Sequence, residues 1–294
     1  MKHTRKTVIV TAVLLIASFA GSILALDRVQ QARGEAPALE EVLYISSGKT
    51  LKRMSLGYSG LVAALYWTRA VQYFGSRVRH STRFDLLAQL LDITTELDPH
   101  LIPAYQTGSL FLSQQVPYGA GQPDKAVALL ERGIRENPEY WRLYFTLGFV
   151  HYLDRHDYQA AQQAFQKGSE VPGALPWMKI LAARMAEHSE NPGTAIALWQ
   201  AVYDTNHDKM VRESAAQHIL SLQAEVQIQE LERRVQAYRD RTHALPYRWS
   251  DLVRAGLLPG IPLDSSGAAF KLMPDGTVQV EDPKKFPFLG EGRR

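Results

Sequence analysis

Residues 125–138 read KAVALLERGIRENP, and the chain repeats their pattern 35 positions later as AAQQAFQKGSEVP over 160–172. Ala126, Leu130, Gly133 and Pro138 correspond to Ala161, Phe165, Gly168 and Pro172, and TAIALWQAVYD supplies a third copy of the trio in Ala195, Trp199 and Val202. A spacing of i, i+4, i+7 places each trio on one helical face, with a small residue first so that a neighbouring helix can come close. A unit used three times at one period predicts stacked helix pairs.

Each of these helices has a partner before it, as in YFTLGFVHYLD over 144–154, where Leu147-Gly148 lies between aromatic residues. The segment from Trp141 to Pro172 resembles the tetratricopeptide repeat (TPR) family, with His151 in place of the second aromatic and one extra residue in the turn RHDY. The resemblance extends over 81–207, where the first copy carries the insertion QQVPYGAGQPD. It implies a mostly α, TPR-like solenoid whose concave face holds a peptide or a partner helix. By family position Arg142, Phe145, Phe149 and Tyr152 point to that face. They make an apolar protein-binding surface with one cation, and the Lys/Asn set that clamps a C-terminal carboxylate is missing from them.

Beyond the repeats, 208–242 lacks Gly and Pro and reads as one long helix. The last segment, 243–294, reads as a small α+β tail. Ser250 is placed to cap a short helix DLVRAG, and AAFKLM and TVQV form a β-hairpin about Pro274-Asp275-Gly276. Residues 226–282 resemble the C-terminal region of type II secretion pseudopilins, through Ala244-Leu245-Pro246, Leu252 to Gly256 and IPLDSSG over 261–267. Ser265 departs from the proline of that pattern, and the prepilin peptidase site is missing at the N-terminus.

At the other end, residues 7–26, TVIVTAVLLIASFAGSILAL, form a run of twenty without charge. That run is long enough to span a bilayer. Residues 1–6 carry Lys2, Arg5 and Lys6, which favour a cytoplasmic stub and a single-pass inner-membrane protein with its bulk in the periplasm. A cleaved signal peptide ending at Ile23-Leu24-Ala25 is the rival reading. Residues 27–41 read as a stalk and 42–80 as N-terminal helices.

The remaining composition excludes more than it assigns. Of 294 residues 46% are hydrophobic and 21% charged, which suits a folded chain with a core. The net charge of +3 comes from the first six residues, since 30 basic and 30 acidic side chains remain without them. No nucleic-acid partner is expected of so balanced a body. With no cysteine there are no disulfides or thiolate sites.

Gly48-Lys49-Thr50 resembles the close of a phosphate-binding loop, but Leu43 stands where that loop needs its first glycine. Ser46 or Ser47 is read instead as a helix cap. His151 and His156 are five apart, off one helical face, and Asp275, Glu281 and Asp282 read as solvated turn residues. No metal, cofactor or catalytic residue is expected. The function expected from these readings is a membrane-anchored TPR scaffold on the extracytoplasmic face. The alternatives are an assembly factor of a type II secretion or pilus-like system and a cell-envelope hydrolase.

Overall fold

The computed structural model describes Arg28 and residues 47–80, 83–189 and 191–291. Its helices follow one another in antiparallel neighbours. The first are α1 (Gly48–Met54), α2 (Ser59–His80) and α3 (Leu87–Leu97), and the next are α4 (Ile102–Ser113), α5 (Pro123–Glu136) and α6 (Trp141–Phe149). Then come α7 (Tyr158–Glu170), α8 (Trp177–Glu187), α9 (Pro192–Thr205), α10 (Lys209–Thr242) and α11 (Trp249–Arg254). Consecutive helices from α2 to α10 pack on one another, which is the quasi-one-dimensional pattern of a solenoid.

The repeated trio is the core of this stack. Ala126 and Leu130, Ala161 and Phe165, and Ala195, Trp199 and Val202 are all buried. Where the third position is glycine, the reason is distance: a Cβ on Gly168 would stand 2.7 Å from Tyr144 Cβ and 2.5 Å from Met178 Cε. Only a hydrogen fits between α7 and its two neighbours. The extra residue of the Trp141 repeat is absorbed in the helix: α6 continues as a π-helical segment, Val150–Asp154, closed by the Arg155 N–H donating to Val150 O at 3.2 Å.

The long helix α10 does two jobs. Its first half closes the stack through Ala215 and Leu222, while Ala224, Ile228, Leu231 and Val235 on its second half carry the tail. The tail packs Trp249, Leu252, Phe270, Val278 and Phe286 on that stripe. Trp249 Nε1–H donates to Phe270 O at 2.7 Å, which satisfies the one polar atom of a buried indole. Strands β1 (Lys271–Leu272) and β2 (Val278–Gln279) pair antiparallel about the expected turn, where Asp275 accepts from the Thr277 N–H and hydroxyl. Ser250 does not cap α11, because the helix begins at Trp249, two residues before the expected start, and Ser250 lies inside it. Asp251 Oδ2 accepts instead from the Tyr247 and Arg248 N–H groups, at 3.0 and 3.1 Å.

The membrane reading is corrected. The run 7–26 lies outside the described residues, and among those described no helix is long and apolar enough to cross a membrane. Of the two longest, α2 is interrupted by polar residues and by Arg69, and α10 is charged along its whole length. What stands of the expected fold is a mostly α, solenoid-like stack of helix pairs with a small C-terminal hairpin. The N-terminal transmembrane helix, the single-pass inner-membrane placement with a periplasmic bulk, and the membrane as a partner have no helix among the described residues to rest on and are withdrawn.

The Gly48-Lys49-Thr50 stretch has a local explanation as well. Ser47 caps α1, its hydroxyl accepting from the Thr50 N–H at 3.4 Å, and Gly48 lies buried against the Glu96 carboxylate. A carboxylate there would repel a phosphate.

Glycine substitutions separate packing from propensity. Gly168→Ala should destabilise the chain by about 1–3 kcal/mol, because it overpacks a closed contact. Gly75→Ala, in the middle of α2 with open space around it, should stabilise by about 0.5–1 kcal/mol. Urea unfolding followed by circular dichroism measures both; equal and small effects would refute the close-approach account.

Candidate functional site: an aromatic face and its cavity

Helix α6 presents a line of rings. Trp141 and Phe145 lie one turn apart with centroids 6.2 Å from each other, Phe145 meets Phe149 edge-on at 4.7 Å, and Phe149 leads to Tyr152 at 6.5 Å. Tyr152 then reaches Tyr158 of α7 at 5.9 Å. All five rings are half-buried. Their inner edges rest on the core, where Phe165 lies 5.3 Å from Phe149, and their outer edges face solvent.

The expected site residues are therefore brought together, with different roles. Phe145, Phe149 and Tyr152 are consecutive members of the line. Arg142 is exposed and lies over the Trp141 ring at 4.6 Å and near Tyr140 at 5.9 Å, so its charge stands at the margin of the face.

Residues outside the expected set complete the surface. Trp177 of α8 meets Phe145 edge-on at 5.2 Å and is 40% exposed. It also lines a cavity of about 340 Å³ between α8 and α10, together with Ile180, Leu181, Arg184, Met210 and His218. The repeat period could have found three of them: Arg142, Phe145 and Phe149 moved 35 positions forward give Trp177, Ile180 and Arg184. The less regular copy over 175–207 hid that correspondence.

At the inner end of the cavity sits a buried polar group. The His218 ring, 2% exposed, is stacked between Trp199 at 4.0 Å and Phe288 of the tail at 3.6 Å. Glu187 Oε1 accepts from Trp199 Nε1–H at 2.7 Å and lies 2.6 Å from His218 Nδ1. One carboxylate thus ties α8, α9 and α10 together, and Phe288 docks the tail on the same cluster. A His–carboxylate pair invites a catalytic reading, but among the described residues no hydroxyl is hydrogen-bonded to the ring. Nor does any group of three or more acidic or histidine side chains gather as metal ligands among the described residues.

His151 is buried in the π-helical segment with its Nδ1 lacking a partner among the described residues. Burial pushes its pKa below the ordinary histidine value, opposed by Asp157 and Glu131 and assisted by Arg155.

No family model and no curated protein sequence matches the chain. The TPR likeness is accordingly kept as an architecture, a helix-pair solenoid, and membership of that family is withdrawn. The pseudopilin likeness of 226–282 goes the same way, and the secretion or pilus assembly role and the envelope hydrolase are not carried further.

Two measurements probe this region. Replacing Glu187 with Ala orphans two buried donors, and at about 1–3 kcal/mol for each the loss should be about 2–6 kcal/mol; a loss below about 0.5 kcal/mol would contradict the buried tie. His151 gives a pH signature. Its folded pKa is lowered, so the unfolded chain binds the proton first as pH falls. Wild-type stability should be full above the unfolded value of about 6.5 and decline as pH drops through the lower folded value. His151→Leu should flatten that decline in urea titrations; an unchanged pH slope would remove His151 as its cause.

Proposed function

We propose that this chain is a helical protein-binding scaffold, which holds a segment of a partner protein along the aromatic face of α6 and α8 and acts by binding rather than by catalysis. The observation that carries this reading is the continuous set of half-exposed rings, Trp141, Phe145, Phe149 and Tyr152, joined through Trp177 to an apolar cavity. Large rings at fixed positions bind with little loss of side-chain entropy, because helix packing has already ordered them. Phe165 and the closed contacts at Gly148 and Gly168 supply that order. Arg142 and Arg184 place two exposed cations along the same surface, which would orient a segment lying across it.

A random peptide library displayed against the full chain tests the proposal. Selected peptides should bind wild type and lose at least tenfold in affinity to Trp177→Ser and to Arg142→Ala, both surface variants that leave the helical circular dichroism spectrum intact. Peptides that bind all three proteins equally would place the binding surface elsewhere.

A further inference from the structure

Helix α2, which pairs with α3, carries a second surface away from α6 and α8. Outward positions of α2 recur at helical spacing as Leu61, Ala64, Leu65, Thr68, Val71, Gln72, Gly75 and Val78, and none of these exposed residues is charged. Leu61 and Leu65 are each 63% exposed, and Met54, Leu56 and Tyr58 add three exposed large side chains just before the helix. The opposite face of α2 is spent on α3 through Ala63, Ala70 and Tyr73. A solvated helix ordinarily turns its charges outward, so an uncharged outward face of this length is the mark of a covered one.

The surrounding charge indicates what covers it. From Ser47 to Phe84 the chain has seven Lys and Arg and no Asp or Glu. Lys49, Lys52 and Arg53 of α1 are exposed and precede Met54, Leu56 and Tyr58 in the chain, although α1 itself rests on α3, where Lys52 Nζ donates to Glu96 O at 3.4 Å. A second copy of the same face would bring like charges together, which disfavours self-association. The relief of the face discriminates further. Its middle is small or polar, at Ala64, Thr68, Gln72 and Gly75, whereas helices that lie on lipid present bulky apolar residues along their length. Small residues between large ones instead leave a shallow channel into which the ridge of another helix fits.

We propose that the α1–α2 face docks an amphipathic helix of a partner protein, with apolar residues against Leu61, Leu65 and Val71 and carboxylates toward Lys49, Lys52 and Arg53. The mode is helix in groove, and the partner's acidic side sets its direction.

The probe is a synthetic helical peptide of about 20 residues, roughly the length of α2, with Leu and Ala on one face and Glu on the other. Its control carries Lys in place of every Glu. Titration of the full-length protein should show binding of the Glu peptide that weakens with salt. It should also be at least tenfold weaker for Leu65→Glu and for the double variant Lys49→Glu/Arg53→Glu, with circular dichroism unchanged in both. Any of four results would overturn the proposal. These are equal binding of the Glu and Lys peptides, no binding of either, capture by phosphatidylglycerol vesicles while the Glu peptide stays free, and a self-association that Leu65→Glu abolishes in the absence of peptide.

Discussion

The structure depends on how closely one helix can approach the next. At Gly148 an added Cβ would stand 2.5 Å from the Phe165 ring, and at Gly168 it would strike Tyr144 and Met178. Those absences of side chain let α6, α7 and α8 close on one another around Phe165, which is fully buried. Because α6 is held this way, its remaining rings have nowhere to turn but along the outer edge of the contact. The aromatic face is thus a product of the packing, with Phe145 and Phe149 touching the core on one side and solvent on the other.

The two ends of the stack are finished differently. At the C-terminal end α10 covers α9 and then carries the tail, and Phe288 lies on His218 while its N–H donates to Ser221 Oγ at 3.3 Å. The buried Glu187 sits under this closure and joins three helices. At the N-terminal end α2 has α3 on one side and an uncharged, exposed face on the other. A solenoid needs a polar cap at each terminus to stay soluble as a single stack. Among the described residues one is found at the α10 end, and the exposed face of α2 is where the proposed partner helix would serve.

Much of this was legible in the residues themselves. The trio Ala, aromatic, small at a 35-residue period marked the helix pairs, and the Pro274-Asp275-Gly276 turn marked the hairpin, because both signals are local and steric. Arg142, Phe145, Phe149 and Tyr152 could be named from one well-formed repeat. Trp177, Ile180 and Arg184 could not be named without carrying the period through a degraded copy, and the Glu187–His218–Phe288 cluster joins residues up to 101 positions apart that no local pattern connects. The cap of α11 was misassigned because Ser250 and Asp251 are adjacent and both can accept from a helix start. The membrane reading rested on 7–26 alone, and none of the helices described supplies a span.

The central claim is that helix-pair packing assembles rings distant in sequence into one ordered surface. Nuclear Overhauser contacts between specifically labelled rings test it most directly, on the pair Phe145 and Trp177, whose centroids are 5.2 Å apart although 32 residues separate them. The account predicts strong cross-peaks between these two rings and between Phe149 and Phe165 in the free protein. Rings that show neither contact and average as independent rotors would contradict it.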